Sequence, residues 1–464
     1  MNGKDLDFDE RIVDYLSTVD LPEKEILETN PWSGPIGLIT WGLILTTFRL
    51  NAAYLQYILP TIGVVLLFLG FRSLRHENKY FRVVWGFSVV RLWLRIADLI
   101  RVSTPLNSID YPEPVVGGLA LAFQVVTFLY FQAALNETQR KAQKRIEDAP
   151  LVRASLWAAV VYLVSLSPLS MSWLAFLFLA VCYVGIVRSL YKIGAQLGDA
   201  GYVLMNSRVR VNSRTVGCLY SLLALATVIV CASLSNHLSL DPRVFHQPET
   251  TPLRENVLNL GFPAECLQRL SDTHVLMLSD AVSVEAFRES LKNIDSTTVY
   301  VEMPEKVMYV MQYFTWKTGW PVWQDGILIV GETKTQDKRI VDSGLFYRKN
   351  GIDYSADFPR LECRSMAQST VFGTVHPVAI AGALSFPFGS ESQGGYVFCR
   401  YSVMADTDRY ITNTIFNYVH LSNPLRIPYA RTEDLILGGA YMFGNKLQQH
   451  YTSYGSRALA GTNR

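Results

Sequence analysis

The chain has 464 residues, 50% of them hydrophobic and only 18% charged, against about 25% charged in an ordinary soluble domain. That composition excludes a disordered tail, a collagen and a disulfide-stapled mini-protein. The net charge of +2, from 42 basic and 40 acidic residues, lacks the basic excess that nucleic-acid binding needs. The charges are unevenly distributed. Through residue 235 there are 21 Lys and Arg against 17 Asp and Glu, with nine of those acids in the first 28 residues; the remaining 229 residues carry 21 and 23. The first half therefore reads as a bundle of membrane helices and the second as a water-soluble domain.

In chain order, an acidic segment (1–28) comes first. Within it Phe8, Ile12 and Leu16 recur every four residues, the spacing of a short amphipathic helix that serves either as an interfacial cap or as a docking helix for a cytoplasmic partner. A cleavable signal peptide is not expected, because this segment is acidic where a secretory leader is basic. The helical membrane domain (29–238) follows. Four charge-free runs, Leu50–Phe71, Pro114–Asn136, Ala154–Val187 and Thr215–Leu240, each exceed the ~20 residues that cross about 30 Å of hydrocarbon. Ala154–Val187 is too long for one straight span. Ser167, Pro168, Ser170 and Ser172 divide it into two helices, about 150–167 and 169–190, in preference to one kinked helix. Thr29–Phe48 and the charged stretch Val83–Ile100 bring the expected count to seven.

The positive-inside rule tests that count. With the N-terminus inside, Arg72, Arg75, Lys79, Arg82, Arg140, Lys141, Lys144, Arg145, Arg153, Arg188, Lys192, Arg208, Arg210 and Arg214 all fall on cytoplasmic connections, while the outer ones hold only Arg49 and Arg101. Removing the Arg-bearing third span would move the RKAQKR stretch outside. The first span is less constrained, since its deletion relocates only the acidic N-terminal segment. In either case the chain after about Ser235 is expected outside a plasma membrane.

A linker with short helices (239–296) is expected next, with helical segments at 254–260, 263–270, 271–278 and 283–294, and Ser271 and Ser283 as N-caps. From 297 to 464 the texture is β-branched and aromatic. The runs TTVYVEM, KVMYVMQYFTW, GILIVGE, KRIVDSGLFYR, AIAGALSFPF, GGYVFCRYSVM and RYITNTIFNYV predict a mainly antiparallel sheet or sandwich in an α+β domain. Asn350–Gly351 is expected to close a type I′ hairpin between Tyr347 and Tyr354. A C-terminal helix is expected at about 432–450. Of the six cysteines, Cys266, Cys363 and Cys399 lie in the outer half of the chain, so at most one disulfide can form there.

Motifs for phosphate cradling, zincin chemistry, nucleophile-elbow hydrolysis and structural zinc are absent from the sequence, the seven histidines are scattered, and no cofactor is expected. Two groups of residues merit attention. Arg91, Arg95 and Asp98 fall at i, i+4 and i+7 on one helical stripe. Charge within a membrane costs about 2.5–3.5 kcal/mol per residue, so such groups face protein or a wet cavity. They form either an anion or lipid-headgroup pocket, with Asp98 orienting the two arginines, or an Arg95–Asp98 pair with a snorkelling Arg91 that locks the bundle. In the outer domain Trp316, Trp320 and Trp323, with Tyr309, Tyr313 and Phe314, form either a carbohydrate- or peptide-binding platform, a membrane-interface belt, or core packing around a turn at Gly319. Asp325, Asp353, Asp357 and Glu391 show no spacing that marks a general-acid pair.

Three stretches carry a resemblance. DERIVDYLSTVDLPEKEILETNPW, LTTFRLNAAYLQYILPTIGVVLLFLGFRSLRHENKYFRVVW, and LNLGFPAECLQRLSD with GGYVFCRYSVMADTDRYITNTIFNYVH resemble a family of uncharacterised multi-pass membrane proteins of clostridia and related Gram-positive bacteria. ILPTIGVVLLFLGFRSLR is the specific part. The resemblance implies an integral plasma-membrane protein with an outward β-rich domain and brings no activity with it. The sequence thus points to a non-enzymatic sensor or binding protein in the lipid bilayer, with an envelope ligand or protein as partner and no nucleic acid. A transporter or channel using the third span, and an enzyme acting on envelope lipid or cell wall, are the alternatives.

Overall fold

The computed structural model describes residues 31–48, 50–52, 54–143, 148–168, 172–200, 204, 211–304, 307–317, 323–331, 335–365, 368–370, 373–375, 378–403, 411–420, 426–438 and 446–455. The acidic N-terminal segment with its amphipathic helix, Gly319 and Trp320 lie outside these. The chain forms two compact units: Met1–Leu99 with Asp110–Thr227, and Ile100–Ile109 with Val228–Arg464.

The first unit is helical. Its helices are α1 (Ser33–Thr47), α2 (Leu55–Leu74), α3 (Lys79–Ser103), α4 (Glu113–Lys141), α5 (Pro150–Ser165), α6 (Trp173–Asp199) and α7 (Ser213–Ser235), with α3 and α7 continuing into the second unit. The break expected after Ser167 separates α5 from α6, and Ser172 caps α6 by accepting from the Ala175 amide. Four helices, α2, α4, α6 and α7, are long and apolar enough to cross a membrane. The expected seven spans are not all shown. At 15 and 16 residues, α1 and α5 reach only about 22–24 Å, short of about 30 Å of hydrocarbon, and α3 carries Arg91, Arg95 and Asp98 within its length.

Small residues set the closest helix approach in this unit. A Cβ built on Gly42 of α1 would lie 2.8 Å from the Gly63 carbonyl of α2, so only glycine permits that spacing. Asn78 caps α3 through its Oδ1 on the Phe81 amide (3.0 Å) and uses Nδ2 to bond the Ala134 carbonyl of α4 (3.0 Å). A core of Trp32, Ile36, Phe71, Phe81, Phe131 and Leu190 fills the centre. Many large apolar side chains point outward instead, among them Trp93, Leu119, Leu163, Phe178 and Leu222, as a lipid-facing surface requires.

The second unit is a sandwich of antiparallel sheets. One sheet has the order β1-β7-β6-β12-β4-β3-β2, comprising Arg243–Val244, Ile352–Ala356, Thr335–Lys349, Glu391–Val403, Val307–Trp316, Ile294–Glu302 and Ser283–Ser290. The other has the order β14-β13-β5-β11-β8: Lys446–Gly455, Ile411–His420, Asp325–Gly331, Val378–Leu384 and Arg360–Ser365, and the short strands β9 (Gln368–Thr370) and β10 (Gly373–Val375) pair with each other. Tyr300, Phe314, Leu345 and Val397 of the first sheet meet Ile327, Ile380 and Phe416 of the second in the sandwich core. The outer face of the larger sheet is covered by short helices α8 (Pro252–Asn259), α9 (Ala264–Leu267) and α10 (Asp272–Leu276). Ser271 caps α10 as expected. The Asn350–Gly351 turn has both residues at positive φ, 53° and 78°, and Tyr347 stacks on Tyr354 across the hairpin at 5.4 Å.

Two sequence expectations are overturned. The helix expected at 283–294 is strand β2, paired in register with β3, so Ser283 caps nothing. Glu285, Arg288 and Glu289 resemble a solvated helix face but lie on an edge strand, where charge discourages further pairing. The helix expected at 432–450 is only α11 (Thr432–Leu437), which packs on the smaller sheet; Gly438 follows it, and residues from Lys446 pair with β13 as β14. No disulfide forms, and Cys266 and Cys399 are buried while Cys363 is exposed.

Candidate functional site

On the larger sheet, β7, β6, β12 and β4 are consecutive neighbours. The register of β12 against β6 shifts between Glu391 and Gly394, and Ser392 takes a φ of 49°. Such a bulge re-aims side chains at the end of a strand. There Ser392 and Gln393 join Arg269, Tyr313, Thr315, Trp316, Phe346, Tyr347, Arg348, Asp353 and Tyr354 around a cavity of about 370 Å³, a volume typical of small-ligand sites.

Arg269 dominates its chemistry. The guanidinium carbon lies 3.8 Å from the Phe346 ring centre and 4.5 Å from that of Phe245, within cation–π distance of both rings. Tyr313 hydrogen-bonds to the guanidinium, whereas Nε and Nη1 are enclosed without a hydrogen-bond partner. Burial pulls the Arg269 pKa down from its ordinary value, opposed by Tyr313 and Asp353, and burial raises the Tyr313 hydroxyl to about 12. Gln393, 4% exposed, gives its Nε2 to Ser390 and leaves Oε1 enclosed without a partner. Arg348 and Asp353 neutralise each other through a paired contact of 2.8 and 2.9 Å. The cavity wall therefore holds an arginine and an amide oxygen that are not fully satisfied by hydrogen bonds from the described residues.

The larger cavity nearby, about 570 Å³, lies along 340–343 and 357–362. Its charged groups already have protein partners: Asp342 holds His274 and Tyr396, Asp357 faces Arg243 at 3.5 Å, Arg360 bonds Tyr429, and Glu362 takes Arg364 and Arg431. Ser271, His274 and Asp342 converge by residue type as a nucleophilic triad would. Both contacts, however, fall on the same imidazole nitrogen, Nδ1, and Ser271 is engaged as a helix cap, so the geometry is not a proton relay. Among the described residues no cluster of three His, Cys, Asp or Glu is placed to hold a metal ion.

Of the aromatic run, Tyr313 and Trp316 line the smaller cavity. Trp316 is also a core residue: it packs edge-on against Phe314, Phe386 and Tyr418 and donates Nε1 to the Tyr418 hydroxyl at 2.8 Å. Tyr418 in turn donates to the buried Asp325, which also holds His420 Nδ1 at 3.0 Å. Trp323 lies apart, against Phe388. The membrane stripe is divided. Arg95 bonds Asp98 (2.6 Å), Thr61 Oγ1 (3.0 Å) and the Tyr57 carbonyl (2.6 Å), tying α3 to α2, while Arg91 turns to Gln124 and Phe123 of α4. Arg269 and Gln393 carry no signal in the sequence, because what distinguishes them is an enclosure built by Phe245 just after β1, Phe346 of β6 and a bulge.

No protein-family model and no curated protein matches this chain. Among solved structures, one described as AvmM, which catalyses macrocyclization in alchivemycin A biosynthesis, shares 16% identity over 38% of this chain and 90% of its own, with a TM-score of 0.18. A pore-forming protein shares 8% identity over 37% and 89%, with a TM-score of 0.15. Similarity at this level carries no functional argument.

Proposed function

We propose that this chain is a multi-pass plasma-membrane protein with seven spans, its N-terminus inside and its β-sandwich outside, and that it binds a small ligand without transforming it. The observation that carries this reading is the Arg269 cavity, where a clamped cation and an unpartnered amide oxygen border an aromatic-walled space. The basic residues of the connecting loops support the orientation, since the charge distribution is the one the positive-inside rule requires. In a seven-span bundle α1 and α5 would reach across with their flanking residues, and α3 would be sheltered by its neighbours.

Within the second unit, the end of α3 and the segment after it are tied to the chain near α11. Residues 100–109 belong to this unit, and there the Tyr429 amide donates to the Val102 carbonyl at 2.7 Å while Asn107 donates to the Tyr429 carbonyl at 2.9 Å. Val102 sits on α3, the helix that bears Arg95 and Asp98. The transporter alternative is less well supported, because Arg95 is engaged by three acceptors that fasten helices together.

The test is thermal unfolding of the full chain in detergent micelles against a mixed set of amino acids, organic acids, sugars and lipid headgroups. At least one compound should raise the unfolding temperature, and Arg269→Gln should remove the shift. A set without a single stabilising compound, or a compound that is chemically consumed, would overturn the reading.

A further inference from the structure

The cavity's inventory narrows the ligand class. Among the described residues on the wall, Arg269 hydrogen-bonds to the neutral Tyr313, and the carboxylate there, Asp353, is clasped by Arg348. The ligand group that meets Arg269 is therefore an anion with hydrogen-bond acceptors, as a carboxylate is. Gln393 Oε1, enclosed and unpartnered, asks the ligand for a hydroxyl or N–H donor. A ligand ammonium would need a free carboxylate, and Asp353 is not one, which disfavours amino acids and peptides. Tyr313, Trp316, Tyr347 and Tyr354 supply flat walls with polar edges, suited to a ring whose faces are C–H and whose rim is hydroxyl.

We infer that this cavity binds an acidic saccharide, a sugar ring bearing a carboxylate. The carboxylate faces Arg269, a ring hydroxyl donates to Gln393 Oε1, and the C–H face rests on the tyrosine wall. This rests on the binding-protein reading above and specifies its ligand.

The experiment titrates the full chain in detergent micelles by calorimetry with digalacturonic acid, neutral digalactose, propionate and a dipeptide. Digalacturonic acid should bind at least tenfold more tightly than each of the other three. Arg269→Gln should weaken it at least tenfold, and Gln393→Ala, which removes a buried acceptor at the β12 bulge and leaves the stacked arginine intact, about threefold to tenfold. Equal binding of digalactose would overturn the role of charge, equal binding of propionate the role of the sugar, and equal binding of the dipeptide the choice of class. Undiminished binding by Gln393→Ala would overturn the assigned pose. If no member binds while a compound from the mixed set still stabilises the protein through Arg269, the saccharide assignment fails and the binding-protein reading survives; if nothing stabilises it, both fail.

Discussion

Arg269 lies over Phe346 at 3.8 Å and within 4.5 Å of the Phe245 ring centre, so that a full positive charge is enclosed beside two aromatic rings. Two opposing effects meet there. Stacking a desolvated cation on aromatic rings contributes about 2 kcal/mol per ring, while each enclosed unpartnered donor costs about 1–3 kcal/mol. With two rings against two unpaired nitrogens the terms nearly cancel.

Arg269→Met should therefore change the unfolding free energy of the protein by no more than about 1 kcal/mol, because the apolar replacement removes both the stacking and the unpaired donors. Denaturant unfolding followed by Trp fluorescence measures this. A loss above about 3 kcal/mol would show that the arginine is structural cement instead of a ligand contact.

Gly394 fixes where Phe346 sits. A Cβ at Gly394 would collide with the end of the Phe346 ring and lie 2.7 Å from the Phe314 carbonyl, a backbone atom that cannot move aside. Gly394→Ala should displace Phe346 from Arg269 and cost roughly 2 kcal/mol through overpacking. The same variant should weaken ligand binding. Unchanged stability together with unchanged binding would mean that the strands part without consequence.

The long-range organisation was legible in the sequence because composition and periodicity act locally: charge-free runs gave helices, alternating β-branched runs gave strands, and Asn350–Gly351 gave its turn. Residues 283–290 have an intrinsic pattern that suits a helix, and only pairing with β3 makes them a strand. The site was legible only through Tyr313 and Trp316. Arg269 precedes α10 and Gln393 lies more than a hundred residues later, and nothing in either local sequence announces that a bulge and two phenylalanines enclose them.

Arg95 and Asp98 make the one charged pair among the stripe residues, at 2.6 Å, with Arg95 10% exposed and Asp98 38% exposed. Arg95→Met should cost about 2–3 kcal/mol, since it removes the bonds to Thr61, Tyr57 and Asp98. Asp98→Asn should cost less than about 1 kcal/mol because that carboxylate is partly open. The double variant Arg95→Met/Asp98→Asn should recover part of the Arg95→Met loss, which unfolding of the purified protein in mixed micelles resolves; strict additivity would deny the pairing.

Acid should loosen the attachment of α11. Glu362 on β8 holds Arg431 and Arg364, and Arg364 reaches Asp434 of α11 at 2.6 Å. Burial pushes the Glu362 carboxyl upward, but the two arginines outweigh it and hold the group below its ordinary 4.5. A depressed carboxyl stabilises fully above its unfolded value and loses that contribution as pH falls through its folded value. The stability gap between the native chain and Glu362→Gln, about 1 kcal/mol at neutral pH for a pair that solvent partly screens, should therefore persist to about pH 5 and close toward pH 3. A gap independent of pH would assign the effect to packing.

Cys363 offers a test of orientation that needs no ligand. It is exposed on β8, whereas Cys266 and Cys399 are buried in the same unit and burial raises the Cys266 thiol well above its ordinary value, so among the three Cys363 is the one accessible to a reagent in the folded protein. With the sandwich outside, a membrane-impermeant maleimide applied to intact cells should label the protein, and Cys363→Ser should abolish most of that labelling. Cys182, Cys218 and Cys231 lie on α6 and α7, where hydrocarbon would shield them from a charged reagent. Labelling of Cys363 only after the cells are permeabilised would place the domain in the cytoplasm and reverse the assigned orientation of every span.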